Sequence, residues 1–309
     1  MGFTYEQTRI LSIIPHVTAP FSIAGSAWIM YEVIKDKNKW KRPYHRLLFA
    51  MCVFDVLSSV ALGLSTWPIP RDSTGVYSPM GTTGTCSAQA FFIHANIASP
   101  IYNFMLSLYY LLLVRYNIPE SQMAKRIEPI MHGVTISFAL GTAFVSLGLG
   151  LFTDSSLWCW INASPKGCNQ SYKFGGTTCE RGNNAEIFRW AFFFAPLWAA
   201  VVGTMITMGL LYHAVRQQED KNKVWERRSV DDQTRQRVVM LNRQKSKKKV
   251  RQSHVVAGQA FRYVAVFYVT WVAGTTNRLL QLILGHSYFW IMVLHSVFTP
   301  MQVRLLSFV

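Results

Sequence analysis

Acidic residues are scarce in this chain. Only 15 of 309 residues are Asp or Glu, against 31 Lys or Arg, and charged residues together make up 15%. A soluble domain carries nearer a quarter, so the one or two soluble domains that this length allows are excluded. The charges are also clustered. Between them lie long apolar stretches in a chain that is 50% hydrophobic and 14% aromatic, which is the composition of an integral membrane protein. A net charge of +16 suggests nucleic acid in a soluble chain. In a membrane protein the excess marks cytoplasmic loops and their contact with anionic lipid, so no nucleic-acid partner is expected.

A helix needs roughly 20 apolar residues to cross the hydrocarbon core. Seven segments qualify: residues 10–34, 47–67, 88–114, 130–152, 187–211, 255–284 and 288–309. The third and sixth are long enough to tilt or project into the cytosol. Pro15, Pro20, Pro100, Pro196 and Pro300 lie inside spans, where neighbouring helices satisfy the freed backbone groups. The first span is no signal peptide, because its apolar run far exceeds a 7–15-residue core and no small-x-small cleavage site follows. The fold class expected is all-α, one seven-helix transmembrane domain over residues 1–309.

Further absences narrow the function. None of the thirteen lysines falls inside a span. A retinal Schiff base needs a lysine in the last helix, so a light-driven pump or opsin is excluded and no cofactor is expected. The chain has no His-Glu-x-x-His, no Gly-Lys-Ser/Thr loop and no carboxylate pair within the spans. No catalytic or metal site is therefore expected. No internal repeat is visible, which argues against an inverted-repeat transporter.

Three signals orient the bundle. The loop KDKNKWKRPYHR (35–46) carries six Lys/Arg against one Asp, and the loop 213–254 carries 13 against five Asp/Glu. The positive-inside rule places both in the cytosol and the N-terminus outside. Cys86, Cys159, Cys168 and Cys179 all fall at or in loops on the outer, oxidising side, while Cys52 lies within a helix. The sequons at Asn162 and Asn169 share the same outer loop, and Pro165 makes the first the poorer acceptor. With only nine residues ahead of the first span, a ligand is expected to bind within the bundle or its outer loops.

Charges inside hydrocarbon are costly and kept for work. The charged residues in the spans include Asp55, Arg189, Arg262, Arg278 and Arg304, with a few histidines. Arg189, Arg262 and Arg278 lie near helix ends and are expected to snorkel. Asp55 is the lone carboxylate well inside, which leaves a transporter or channel built on Asp55 as the alternative reading.

Several stretches carry a resemblance in their order and spacing. They are PYHRLLFAMCVFDVLSSVALGLSTWPIP (43–70), SPIYNFMLSLYYLLLVRYNIPE (99–120) after Cys86, Trp158-Cys159-Trp160, QAFRYVAVFYVTWVAGTTNR (259–278) and FTPMQ (298–302). Together they resemble the cyclic-AMP-receptor-like and secretin-like G-protein-coupled receptors of microbial eukaryotes, over residues 9–302. The resemblance implies a plasma-membrane receptor that passes an extracellular ligand signal to a heterotrimeric G protein. It also implies a Cys86–Cys159 disulfide over the bundle mouth and a local Cys168–Cys179 bridge. Four cysteines allow three connectivities, so Cys86–Cys179 stays open as a competitor. Arg115-Tyr116 matches the G-protein-contacting pair at the inner end of helix 3, although Val114 stands where rhodopsin-like receptors have an acid. A positive-inside arginine is the plainer reading. Asp55 resembles the sodium-binding acid of helix 2, or is a polar packing residue. Trp271 matches the aromatic switch of helix 6, against simple packing, and Arg278 is placed to meet an anionic ligand, against snorkelling.

Receptors of this resemblance continue past helix 7 into a basic tail, whereas here Val303-Arg304 leads to an end at Val309. A Gln-Val-Arg string is what reading through an exon end yields. Residues 303–309 are therefore expected to be translated intron in a longer natural protein, and no role is placed on Arg304. The cluster RQKSKKKVR (243–251) is expected to lie on anionic lipid, each basic side chain contributing roughly 1 kcal/mol. Phosphate on Ser229, Ser246 or Ser253 adds about −1.5 to −2 charge. Serine-to-aspartate variants at these three positions should therefore partition less onto phosphatidylserine vesicles than serine-to-alanine variants; equal partition and equal signalling would remove the phosphorylation switch.

Overall fold

A computed structural model of the chain describes residues 4–165, 168, 178–228, 268, 272–277, 279–280, 283 and 288–297. Among them, five helical segments are long and apolar enough to cross a membrane: Tyr5–Lys35, Pro43–Gly63, Thr83–Val114, Glu120–Gly148 and Ala185–Gln217. Of the sixth and seventh predicted spans, residues 272–277 and 289–297 are helical. The chain is an all-α, multi-pass membrane bundle, with polarity reversed relative to a soluble core. Ser12, Ser22, Ser26, Ser58 and Ser59 are buried, whereas Phe21, Trp28, Phe144, Ile187 and Ile206 face outward. That distribution suits hydrocarbon surroundings, where interhelical faces favour small and hydroxylated residues.

The first span, α1 (Tyr5–Lys35), starts at a capping box in which the Thr4 hydroxyl accepts from the Gln7 amide and the Gln7 side chain accepts from the Thr4 amide. It runs through Pro15 and Pro20 without a break. A turn of helix, α2 (Lys37–Trp40), then leads to α3 (Pro43–Gly63), with Pro43 in its first turn. The two long helices pack closely along small residues. The Ser59 hydroxyl donates to the Ser22 hydroxyl at 3.0 Å, and a Cβ on Gly63 would meet the Ala19 Cβ at 2.9 Å.

The third span departs from the continuous helix expected over 88–114. It is two helices, α4 (Thr83–Ala95) and α5 (Ala98–Val114), joined at Asn96-Ile97. Pro100 has no N–H to give the Asn96 carbonyl, and its ring crowds that carbonyl. The chain tightens instead: the Ile97 amide donates to His94 O at 3.1 Å and the Ser99 amide to Asn96 O at 3.0 Å. The break leaves the Asn96 side chain, 8% exposed, facing into the bundle.

The fourth span starts earlier than expected. A short turn, α6 (Glu120–Gln122), and a π-helical turn, Met123–Ile127, precede α7 (Glu128–Gly148). Its charged start is tolerated because Glu128 is paired. Arg46 of α3 donates through Nε and Nη2 to both Glu128 oxygens, each at 2.5 Å, and through Nη1 to Trp40 O at 2.7 Å. Glu128 also faces His132 at 3.7 Å, and His132 Nδ1 shares a 2.9 Å hydrogen bond with the Tyr102 hydroxyl. Spans 2, 3 and 4 are thereby joined at their inner ends. α7 stops at Gly148, and Gly150 at φ 64° turns the chain into β1 (Phe152–Asp154), which pairs antiparallel with β2 (Cys159–Ile161).

The fifth span begins as α8 (Ala185–Arg189), passes through a π-helical turn at Trp190–Phe194 and continues as α9 (Ala195–Arg228). Pro196 lies just beyond that turn and cannot donate to the carbonyl one turn back, so the ladder widens there. α9 outlasts the expected end at 211, running as helix into the basic loop. It meets α5 through Ser107 and Thr207, whose hydroxyls share a hydrogen bond at 2.7 Å.

Breaking a buried ion pair from one side leaves an uncompensated charge, at a cost of about 3–5 kcal/mol. Glu128→Leu should lower unfolding stability in detergent by about 3 kcal/mol, and adding Arg46→Met should restore most of it. A loss below about 0.5 kcal/mol for the single variant would show that the pair does not hold the inner ends.

Candidate functional site

The outer hairpin β1–β2 folds down into the bundle mouth. Phe152 pairs with Ile161, Thr153 with Trp160 and Asp154 with Cys159. Two crosslinks hold the outer loops: Cys86 is bonded to Cys159, and Cys168 to Cys179. The pairing implied by the resemblance is the one present, and Cys86–Cys179 is not. The bond ties β2 to the first turn of α4, whose capping box sets the direction of the helix. There the Thr82 hydroxyl accepts from the Thr85 amide and the Thr85 hydroxyl from the Thr82 amide.

Gln89, one turn beyond Cys86 on the same face of α4, reinforces the crosslink. Its Oε1 accepts from the Cys159 amide at 2.9 Å, while Nε2 donates to Ala61 O at 2.9 Å and Ser65 O at 2.8 Å. One buried side chain thus joins the hairpin to spans 2 and 3. Sequence reading missed it, although a lone glutamine three residues after an outer cysteine is the kind of intramembrane polar residue that signals a role.

Arg189 corrects an expectation. It does not snorkel; it is 5% exposed and turned inward. Its Nε and Nη2 donate to Ile161 O at 3.0 and 2.7 Å, Nη2 also to Asn162 Oδ1 at 2.9 Å, and Nη1 to Glu186 at 2.8 Å. Its guanidinium also lies 5.9 Å from the Trp160 ring centre. The strand end offers two acceptors that water would otherwise have to satisfy, and a buried guanidinium meets both. The same contacts engage Asn162, whose Nδ2 donates to Asp154 O at 2.8 Å. The nitrogen from which a glycan would extend is thus bound to the backbone.

Beneath the hairpin lies a cavity of about 50 Å³. Trp158, Trp160, Phe193 and Phe194 wall it, Ser58 and Asn96 supply polar groups, and Gly274 and His295 close it from the sixth and seventh helical stretches. Asn96 Oδ1 is buried without a partner among the described residues. Trp160 stacks edge-on against Phe193 at 4.9 Å and Phe194 at 5.9 Å. In the sequence Trp158 and Trp160 are marked only by the resemblance carried by Trp158-Cys159-Trp160. Strand alternation, which sends residues 158 and 160 to one face, was the available signal.

Asp55 of α3 is 3% exposed and lies beside Ser99 of α5, with Oδ2 unpartnered among the described residues. Ser58, one turn further toward the hairpin on the same helix, lines the cavity. Arg115 and Tyr116 follow the last residue of α5 and are exposed, the guanidinium 5.9 Å from the Tyr116 ring centre. Asn117 at φ 53° then turns the chain away. The structure therefore separates Asp55 and the cavity from Arg115 by most of the length of α5. Trp271, Arg278, Arg262, Arg304, Asn169, Ser229, Ser246, Ser253 and the 243–251 cluster lie outside the described residues.

No family model and no curated protein matches the sequence. Among solved structures the chain is similar to squid rhodopsin, with a TM-score of 0.69 at 12% identity, over 99% of this chain and 82% of that one. At that identity the likeness is one of fold, the rhodopsin-like seven-helix bundle.

Gln89→Leu removes three buried hydrogen bonds and strands their partners, each such loss costing about 1–3 kcal/mol. Thermal unfolding of this variant should show a destabilisation of at least about 2 kcal/mol with the Cys86–Cys159 bond intact. A change within about 0.5 kcal/mol would mean that the disulfide alone seats the hairpin.

Proposed function

We propose that the protein is a G-protein-coupled receptor of the plasma membrane, multi-pass, with its N-terminus outside. The observation that carries this reading is the pairing of a rhodopsin-like fold with a covered outer cavity at one end and an exposed Arg115-Tyr116 at the other. A ligand at the outer site shifts the balance between two arrangements of the bundle, and a heterotrimeric G protein reads the inner end. Spans 2, 3 and 4, clamped by Arg46–Glu128, form the fixed side. The moving side is the part of the bundle contributed by spans 5, 6 and 7.

Retinal chemistry does not come with the fold, because the last span has no lysine to hold the aldehyde. The basic 243–251 segment adds an inner-leaflet anchor on anionic lipid, and Arg278 and Trp271 are candidates for ligand contact and helix 6 switching. Asp55 supports a second element, a bound monovalent cation between spans 2 and 3, since one of its oxygens is buried and unpartnered among the described residues. The fold and the missing catalytic motifs favour a receptor over an enzyme.

Guanine-nucleotide exchange on purified heterotrimers is the decisive measurement. Arg115→Ala should reduce catalysed exchange at least about tenfold, a loss of about 1.4 kcal/mol in coupling. Flux or current in proteoliposomes that vanishes with Asp55→Asn, without exchange by any variant, would replace this reading with a transporter.

A further inference from the structure

The cavity beneath the outer hairpin is filled from above by the chain itself. Between β1 and β2 the turn is tight: the Ser155 amide donates to Trp158 O at 3.0 Å and the Ser156 amide to Asp154 Oδ1 at 2.5 Å, with Ser156 at φ 79°. This turn sends its two apolar residues inward. Leu157 is 2% and Trp158 7% exposed, and both belong to the same buried cluster as Leu62, Phe193 and Met292. An outer loop that merely covered the mouth would leave such residues to lipid or water.

Trp158 reaches the seventh helical stretch. Its ring meets His295 edge-on, with centres 5.6 Å apart and planes at 72°. His295 lies against Gly274 so closely that a Cβ there would fall 2.9 Å from Nε2. Contact therefore runs unbroken from the outer loop through helix 7 to helix 6, and all three residues border the one cavity. What space remains is about 50 Å³, whereas sites for drug-sized ligands occupy roughly 300 Å³ or more. Among the described residues, no carboxylate, lysine or arginine borders it. The backbone of the hairpin is held by Cys86, Gln89 and Arg189, so a change at this position without a shift of the strand is a rotation of the indole about its side-chain bonds.

We propose that Trp158 is the resident ligand of this cavity, and that its indole, held against His295, keeps helices 6 and 7 in their resting arrangement. The diffusible ligand is then a flat, uncharged aromatic molecule that takes this seat once Trp158 has turned out and, unlike the indole, leaves the His295 contact unmade, which releases helices 6 and 7. This rests on the receptor reading for its signalling consequence, but not for the site itself.

Chemical replacement tests it. In the full-length protein, Trp158→Gly opens an indole-shaped hole. Free indole should raise the thermal stability of this variant and leave the parent unchanged. Basal nucleotide exchange of Trp158→Gly should rise about fivefold or more, and indole should bring it back to the parental level. Trp158→Phe, which keeps an aromatic ring in the seat, should stay near the parent. Gly274→Ala, which displaces His295 without touching the loop, should also raise basal exchange. Indole that stabilises Trp158→Gly while its basal exchange stays unchanged or falls would overturn the proposal, as would the absence of any stabilisation by indole. Exchange missing from the parent and every variant would sink the receptor reading alone, and the thermal shift would still decide whether the cavity is an indole seat.

Discussion

The arrangement of the outer mouth depends on the seating of one short hairpin on one turn of helix, from Cys86 to Gln89. A covalent bond alone would fix a point and leave the strand free to rotate about it. Gln89 adds a second point by accepting from the same residue, Cys159, that carries the disulfide. Its amide then spends both protons on carbonyls near the end of span 2, so the strand is oriented as well as attached. Arg189 supplies the third point from span 5. With three supports on spans 3 and 5, Trp158 and Trp160 are aimed into the bundle and the cavity beneath acquires its walls.

The same economy of polar groups explains the bundle below. Water is absent from the hydrocarbon core, so each irregularity in a helix must be satisfied locally. Pro100 tightens the third span and Pro196 widens the fifth, and both defects lie at the level of the cavity. Asn96 and Phe193 are presented by these defects, so the helices bend where the site is built. At the inner end a half-buried ion pair, Arg46 with Glu128, joins spans 2 and 4, and His132 with Tyr102 carries the connection to span 3. Arg115 stays outside that network, exposed at the end of α5.

Hydropathy alone made the first five spans legible, because a run of twenty apolar residues has few uses outside a bilayer. Their ends were less so. The fourth span was expected from residue 130, just past the charged Lys125, Arg126 and Glu128. The helix continues through them because Arg46, 82 residues earlier, neutralises Glu128. Arg189 was misread for a related reason. Position near a helix end suggested an escape to the surface, but the acceptors that draw it inward belong to Ile161 and Asn162 in another part of the chain. The disulfide partners came from resemblance, and the residues alone left three pairings open.

What the sequence by itself determined is the set of local, additive quantities: membrane class, the apolar runs of the first five spans, and the clustering of basic residues in two loops. These follow from composition within a window, which needs no knowledge of neighbours. The tertiary structure alone decided where Arg189 points, how Gln89 is used, and that Trp158 meets His295 above a small cavity. Those are contacts between residues tens to more than a hundred positions apart, and a side chain's role there is set by which acceptor or ring the fold brings within reach.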